Sequence, residues 1–307
     1  DTQGITDDAI LVGTVADPGY TGTPGLNQEI FDSGEAFVQW CNDQGGINGR
    51  ELRLTEYDAA IQNYQTKMQE ACGQEFAIVG DGAVQDNLWA STGAACGLID
   101  IAGFAVTPEK SGTVGPDVVE ETRVVQPVPN TADTYEAGGL QTLAEQHPEA
   151  FQHVGIVYGD FETLRVQAAK GRQAIEAEGG TVVSEQTYNL VGEANWAPLA
   201  TALERDGVQW LYFVGQPGNL ALLQQSMAEV GYRPEVTFVE ANHYAPEYLA
   251  AAGDAAEGTY LRTVYVPFEE ADQNKATQDY LDMVAAVDGK TALLGAQAMG
   301  EGWMQPF

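Results

Sequence analysis

The chain is poor in basic residues, and this scarcity excludes two classes of partner. Its 307 residues include 13 Lys and Arg against 45 Asp and Glu, which gives a net charge of -32. A field of that sign repels phosphate backbones and anionic lipid headgroups. We therefore expect no nucleic-acid partner and no binding to a membrane surface, and we interpret the evenly spread acidic residues as a solubilising surface.

Histidines and catalytic motifs are also scarce. None of the three histidines lies at metal-ligand spacing from another, and the chain has no G-x-S-x-G, no P-loop and no strand-associated G-x-G-x-x-G. We therefore predict a protein that is not an enzyme and has neither a metal site nor a cofactor. Four acidic residues near predicted strand ends leave a doubly wound hydrolase as one alternative: Asp17, Asp58, Asp81 and Asp160.

Three cysteines are too few for a disulfide scaffold. Cys72 and Cys96 lie near the ends of two successive predicted helices that flank one strand, so we expect a disulfide between them; the alternative is two buried thiols. A disulfide would imply an oxidising, extracytoplasmic compartment. Cys41 lies in the apolar run AFVQWC, and we expect it in the core.

Long apolar runs are absent as well. No stretch reaches the ~18 apolar residues that a membrane span needs, so none is predicted. The chain opens on Asp1 with no initiator Met and no signal-like segment, and we interpret it as a mature form whose signal peptide has been removed. Its length exceeds one ordinary core and suits two α/β lobes.

The chain does contain alternating strand and helix patterns, which predict parallel sheets. In the first part we predict strands over 9–16, 51–58, 76–79 and 99–104 and helices over 29–43, 63–72 and 85–96. An extended stretch with two prolines, 122–130, breaks the pattern and suits a crossover between lobes.

The same alternation restarts after this stretch. We predict strands over 153–158, 181–188, 210–214 and 236–240 and helices over 133–146, 163–178, 196–205 and 220–230. A second extended passage, 258–268, would return the chain to the first lobe before a helix over 277–287. The predicted fold is α/β, with two doubly wound parallel-sheet lobes joined by hinge strands. Lobe 1 comprises 1–122 plus 262–307 and lobe 2 comprises 123–261, with a ligand cleft between them.

Several sequence blocks carry a family resemblance. They are ITDDAILVGTVADPG, FDSGEAFVQWCNDQGGINGRELRLTEYDAA, FAIVGDG, VGYRPEVTFVE and GDAAEGTY. The chain resembles, over essentially its whole length, the leucine/isoleucine/valine-binding solute-binding proteins of branched-chain amino acid ABC transporters. The resemblance implies a type I periplasmic-binding fold whose lobes are joined by three hinge strands. The third of these crossovers would need further residues after Phe307, so we expect that a C-terminal segment is missing from this sequence.

The resemblance also implies partners and a location. It implies a small-molecule ligand, an ABC permease in the membrane as partner, and an extracytoplasmic protein that is either periplasmic or a cell-surface lipoprotein. We expect a monomer. The function it implies is that of an importer's solute-binding protein, which binds a small amino acid or a related carboxylate or amide by hinge closure. A ligand-sensing receptor domain of the same fold is the alternative.

The resemblance also implies that the ligand-binding residues lie in the loops that follow the strands, where open α/β sheets bind ligands. In lobe 1 they are Tyr20, Gly82, Ala83, Gln85, Phe104, Ala105 and Val106. In lobe 2 they are Phe161, Thr163, Arg165, Gln216, Glu240 and Asn242.

Four of these candidates have an alternative role. Glu240 matches the family's ammonium-binding Glu, or it is a solvated residue at a strand end. Arg165 stands in the first turn of a helix, where a cation is disfavoured, so it either faces a carboxylate or forms a surface pair with Glu162. Phe104 stacks on ligand or belongs to the core, and Tyr20 covers the cleft or is a loop residue.

The predicted cleft departs from the family pattern in lobe 1. The loop GDGAVQD has none of the hydroxyl side chains that the family usually has there. In the segment GFAVTPE, residues 104–106 (Phe-Ala-Val) stand where the family commonly has a small residue and a Thr. Two ligand classes therefore stay open. One is an aliphatic amino acid held through Glu240, and the other is a carboxylate with an apolar or aromatic body, held through Arg165 and the segment 104–106.

Overall fold

A computed structural model describes residues 2–114, 122–128 and 130–304. These residues form two compact units, unit 1 from 1–133 and 265–307 and unit 2 from 134–264. The lobe limits predicted from the sequence are 122/123 and 261/262. Within the described ranges, no helix is both long and apolar enough to cross a membrane.

Unit 1 contains a five-stranded parallel sheet with the strand order β2-β1-β3-β4-β5. Its strands are β1 Ala9–Ala16, β2 Glu51–Asp58, β3 Ala77–Val79, β4 Asp100–Ile101 and β5 Val124–Val125. The interior strand β1 is almost continuously apolar because it is buried on both faces.

Unit 2 repeats this architecture with a second five-stranded parallel sheet, in the order β10-β9-β8-β6-β7. Its strands are β6 Val154–Gly159, β7 Val182–Tyr188, β8 Trp210–Val214, β9 Val236–Val239 and β10 Thr259–Leu261. The predicted fold class, two parallel-sheet α/β lobes, is confirmed.

Helices connect successive strands in both units. The α-helices in chain order are α1 Gln28–Asp43, α2 Tyr64–Cys72, α3 Gly93–Cys96, α4 Pro108–Ser111, α5 Gly138–Gln146, α6 Glu162–Ala177, α7 Ala197–Arg205, α8 Pro217–Glu229, α9 Pro246–Ala252, α10 Lys275–Ala285 and α11 Leu293–Gln297. Short 3₁₀ turns occur at Asp86–Leu88, Ala150–Gln152, Ala241–His243, Gly253–Ala256 and Phe268–Gln273, and a π-helix follows α11 at Ala298–Trp303.

The helix predicted over 85–96 is wrong. That segment forms a 3₁₀ turn, Asp86–Leu88, and the four-residue helix α3. Trp89 is buried and donates its indole N–H to the carbonyl of Thr122 at 2.6 Å, and the ring lies so close to Gly93 that a Cβ there would overlap it. Tertiary contacts of one buried Trp therefore override the helical pattern.

Two other differences from the sequence prediction have an identifiable physical cause. The strand predicted over 99–104 ends at Ile101, because Gly103 packs against the backbone of Gly80 and Ala298 instead of continuing the sheet. The helix predicted over 133–146 begins only at Gly138, since Tyr135 and Glu136 are engaged in a side-chain network described below. The stretch predicted as the first crossover includes β5, which pairs with β4.

The predicted disulfide is present. Cys72, the last residue of α2, is bonded to Cys96, the last residue of α3, with an S–S distance of 1.98 Å. Cys41 lies buried in the core between α1 and the sheet, as expected. The disulfide therefore links α3, which follows β3, to α2, which precedes β3.

Candidate functional site

Parallel sheets bind ligands at the edge where their strands end, in the loops that lead into the next helices. Each unit of this chain has one such edge. In unit 1 it is formed by the loops after β1 to β4, and in unit 2 by the loops after β6 to β10. Neither of these loop sets, nor any other described part of the chain, groups three or more His, Cys, Asp or Glu side chains for a metal ion.

Asp17 follows β1 directly and is fully buried. Its Oδ1 accepts a hydrogen bond from the amide of Ile61 at 2.6 Å, and its Oδ2 accepts one from the amide of Val84, also at 2.6 Å. Burial raises the pKa of Asp17, while the two amides oppose that shift. Asp17 thus ties the loops after β2 and β3 to the end of β1.

Asp81, in the loop after β3, belongs to a buried charged cluster with Asp100 and Lys110. Lys110 Nζ pairs with Asp81 Oδ2 and lies 2.8 Å from Asp100 Oδ2. Burial, followed by the charge of Asp100, raises the pKa of Asp81 to about 8. Burial opposes the Lys110 charge, but Asp100 and Asp81 together hold the pKa of Lys110 well above its usual value. Lys110 is therefore charged at pH 7 and lies between two buried carboxyl groups whose pKa values are both raised by burial.

Asp86 anchors the loop after β4. Its buried Oδ2 accepts hydrogen bonds from the amides of Val106 at 2.7 Å and Thr107 at 3.2 Å. Burial raises the pKa of Asp86, and the charge of Lys110 opposes the shift. Asp86 lies just after the β3 loop, so its carboxylate joins that loop to the one that follows β4.

These anchors bring together the unit 1 residues predicted to bind ligand. Gly82 donates its amide to the carbonyl of Val15 at 3.0 Å, and a Cβ on Gly82 would lie 3.3 Å from Cβ of Phe104. Gln85 and Phe104 stay partly exposed, so these two side chains are the ones most available to a solute. The buried members of the predicted set are Tyr20, Gly82, Ala83, Ala105 and Val106.

Tyr20 lies in the loop after β1 and is only 8% exposed. Its ring packs on Gly22, where an added Cβ would come within 2.6 Å of the ring. The Tyr20 amide donates to the carbonyl of Asp17 at 3.0 Å. The residue is therefore packed within its own loop.

Glu240, the residue after β9, is the hub of a hydrogen-bond network in unit 2. Its Oε1 accepts from the Tyr212 hydroxyl at 2.9 Å and the Tyr135 hydroxyl at 3.1 Å. Gln167 Nε2 donates to the same oxygen at 3.4 Å, and Arg262 Nε donates to Oε2 at 2.8 Å. Burial, together with the Glu240 charge, raises the pKa of Tyr212 well above its usual value. Glu240 is thus not a solvated strand-end residue.

Arg262 follows β10 and brings a positive charge to the same edge. Its guanidinium lies 4.8 Å from the centre of the Tyr135 ring, and Nη1 donates to Glu136 Oε2 at 3.0 Å. Burial opposes the charged form, but the Glu240 charge outweighs it and raises the pKa of Arg262. The Arg262 side chain is 21% exposed, whereas that of Glu136 is 54% exposed.

Arg165 lies in the first turn of α6 and pairs with two carboxylates. Its Nη1 lies 2.6 Å from Glu162 Oε2, and its Nη2 lies 3.0 Å from Asp160 Oδ1. The surface pair with Glu162, stated above as the alternative to a ligand contact, is therefore present. In the same loop, Phe161 is the partly exposed residue that precedes α6, and Thr163 is buried.

Gln216 and Asn242 lie in neighbouring loops of unit 2. Asn242 Nδ2 donates to the carbonyl of Gly215 at 2.7 Å, and Gln216 is the residue before α8. The next residue, His243, is buried with its ring edge-on to Phe213 and Tyr248. Burial lowers the pKa of His243 to about 4, so it is a neutral core residue at pH 7.

Several residues of these networks were not predicted from the sequence. Arg262 had a signal, because it is a single cation in the stretch GTYLRTVYVPF of a chain that has only 13 basic residues. The others come from separate elements that no periodicity brings together, namely Tyr135, Gln167, Tyr212 and Lys110.

Comparison with known proteins agrees with the fold. Residues 26–304 match a family model described as periplasmic binding protein. A relative from Pseudomonas aeruginosa, a leucine-, isoleucine-, valine-, threonine- and alanine-binding protein, is 25% identical over 267 residues, which cover 79% of this chain and 63% of that protein. The match thus spans less than two thirds of that relative's length.

Solved structures share the fold at low sequence identity. A fatty acid ABC transporter substrate-binding protein from Thermomonospora curvata superposes with a TM-score of 0.78 at 18% identity, covering 98% of this chain and 75% of that one. A branched-chain amino acid transporter substrate-binding protein from Streptococcus pneumoniae, in complex with isoleucine, gives 0.68 at 13% identity, with 95% and 81% covered. Since the family model matches almost the whole chain, this protein belongs to the periplasmic binding protein family, as its sequence blocks predicted.

Proposed function

We propose that this protein is the extracytoplasmic solute-binding component of an ABC importer and that it binds a small amino acid or a related carboxylate or amide. The observation that carries the proposal is the family match over residues 26–304. The names of its relatives support it, because they bind branched-chain amino acids or belong to a fatty acid transporter. The partner would be the permease of that importer.

The arrangement of acidic residues supports binding without catalysis. A hydrolase would need a carboxylate or a carboxylic acid that can reach a substrate. Asp17 is occupied by two backbone amides, Asp81 is buried against Lys110, and Asp160 pairs with Arg165. These aspartates hold loops and helix ends, so we propose that the protein is not an enzyme.

We further propose that the solute binds at the carboxyl edges of the sheets and that binding proceeds by hinge closure, the mode that the resemblance implies. A solute held this way is removed from water, which strengthens its polar contacts. Among the candidate residues with exposed surface, Gln85 and Phe104 in unit 1 and Phe161 in unit 2 are side chains that we expect to contact it.

A solute screen tests this function. Thermal unfolding in the presence of amino acids, short aliphatic and aromatic carboxylates, their amides and urea should reveal a solute that raises the melting temperature with its concentration, because it binds only the folded protein. X-ray scattering with that solute should show a smaller radius of gyration. A panel in which no solute raises the melting temperature would contradict the proposed function.

A further inference from the structure

The carboxylate of Glu240 is already engaged by four donors of the protein. Its Oε1 accepts hydrogen bonds from Tyr212, Tyr135 and Gln167, and its Oε2 accepts one from Arg262. An ammonium group brings a positive charge and three donors, whereas Oε2 retains a single acceptor position and the carboxylate charge is already paired with that of Arg262. A solute ammonium would therefore be fully compensated at Glu240 only if it displaced Arg262.

Displacing Arg262 would be costly. Its side chain is mostly buried, stacks on Tyr135 and shares a 2.8 Å ion pair with Glu240. Removal of Glu240 from that pair would leave a desolvated guanidinium without its closest counter-charge. The position where an ammonium would sit is thus already filled by a cation of the protein itself.

The outer edge of the same guanidinium is held much more loosely. Among the residues that the structure describes, Glu136 pairs with it there, at 3.0 Å from Nη1, and this Glu is more than half exposed. Because the Glu136 carboxylate lies largely in water, it loses little free energy when it leaves this pair. Nη2 takes part in none of these contacts, so Nη1 and Nη2 together offer the paired N–H groups that a carboxylate binds in bidentate geometry.

We propose that Arg262 is a specificity-determining residue of unit 2 that binds the carboxylate of the solute in exchange for Glu136. Its ion pair with Glu240 at the same time excludes solutes that carry an ammonium group. The solute class is therefore a carboxylate without an amino group. This inference rests on the proposed function and chooses between the two ligand classes that the sequence left open.

Matched pairs of solutes test the proposal in the purified protein. L-leucine and 4-methylpentanoate have the same carbon skeleton and differ in the amino group, as do L-phenylalanine and 3-phenylpropanoate. Calorimetric titration should detect at least one of the two carboxylates, with its amino acid and its primary amide each at least ~100-fold weaker. Tighter binding of either amino acid than of its desamino partner would overturn the proposal.

Variants of the two residues sharpen the test. Glu136→Gln should tighten binding of the carboxylate solute by about 3- to 10-fold, because the competing side chain loses its charge. Arg262→Gln should weaken binding of the same solute at least ~100-fold. Arg172→Gln is the control, because Arg172 also pairs with two carboxylates, Glu176 and Glu185, but is exposed and lies in the middle of α6. It should bind like the wild type. Equal binding by Arg262→Gln and the control would overturn the proposal.

A second variant guards against a misfolded protein. Arg262→Gln leaves Glu240 without its ion pair, so the double variant Glu240→Gln/Arg262→Gln, which removes both charges, should restore wild-type melting and still fail to bind the carboxylate. Carboxylate binding by the folded double variant would contradict the role of Arg262. If the wild type binds an amino acid more tightly than its desamino partner, the solute-binding function is supported and this inference is wrong. If the wild type binds none of the amino acids, carboxylates, amides or other solutes of the panel, both proposals are wrong.

Discussion

At the scale of single residues, the acidic side chains of unit 1 act on the backbone and on one another. Asp17 and Asp86 each hold two amides, and Asp81 and Asp100 share the buried Lys110. Such groups shape the loops of the candidate site without facing a solute. Their burial instead makes the stability of the protein depend on pH.

The pKa of Asp81, raised from 3.8 to about 8, predicts a loss of stability as the pH rises. Between these values the folded state binds a proton that the unfolded state has released, so this contribution is complete below pH 3.8 and disappears as the pH rises through 8. Asp81→Asn keeps the uncharged form at every pH. Urea unfolding from pH 5 to 8 should show that the variant removes up to about 1.4 kcal/mol per pH unit of this decline. Identical slopes in variant and wild type would contradict the assignment.

His243 predicts the opposite dependence in acid. Its pKa falls from 6.5 to about 4 on folding, so between these values the unfolded state binds the extra proton and stability decreases as the pH falls. His243→Gln should flatten the decrease between pH 6.5 and 4 by up to about 1.4 kcal/mol per pH unit, as measured by urea unfolding. A variant whose stability declines as steeply as that of the wild type would show that His243 is protonated in the fold.

The residues also show which part of the site a sequence can reveal. Glu240 was identifiable because it matches the family's ammonium-binding Glu and stands at the end of a predicted strand, which are both local features of the sequence. Its partners Tyr135, Gln167 and Arg262 come from three distant segments, and only folding joins them. Lys110 was missed because a lysine after a proline in a polar segment gives no sign that it is fully buried.

At the scale of elements, the disulfide is the strongest local constraint in unit 1. It closes a loop of 24 residues between the ends of α2 and α3, and a loop of that length is expected to stabilise the fold by about 3 kcal/mol. The double substitution Cys72→Ser/Cys96→Ser should lower the melting temperature by roughly 6 to 12 °C. Reductant should destabilise the wild type similarly and leave the variant unchanged. A wild type insensitive to complete reduction would contradict this.

The C-terminal π-helix packs on the end of β3 through glycines. A Cβ on Gly302 would overlap Cα of Gly80, and the neighbouring Trp303 is fully buried against Phe37. Gly302→Ala should therefore cost about 1–3 kcal/mol in urea unfolding. Gly218→Ala in α8 is the control, since no atom lies within 4 Å of its Cβ position, and it should be neutral or slightly stabilising. Equal stability of both variants would argue against close packing at Gly302.

Elements were predictable where their signals are local. The helix α1 begins within one residue of its predicted start and ends where predicted, because its apolar spacing is regular and Gly45 and Gly46 adopt positive φ angles after it. The predictions of a strand over 99–104 and a helix over 85–96 were wrong because contacts with distant residues determine the positions of Gly103 and Trp89. Local pattern thus determined the regular parts of both sheets, and long-range packing determined the loops at their edges.

At the scale of the whole molecule, the family assignment and the site chemistry lead to one central claim, that this protein binds a small solute and releases it unchanged. Equilibrium dialysis of the purified protein against the solute that best raises its melting temperature tests this claim most directly. We predict saturable binding of one solute per chain, with every molecule recovered chemically intact after prolonged incubation. Conversion of the solute, or failure to reach one bound molecule per chain at saturation, would contradict the account.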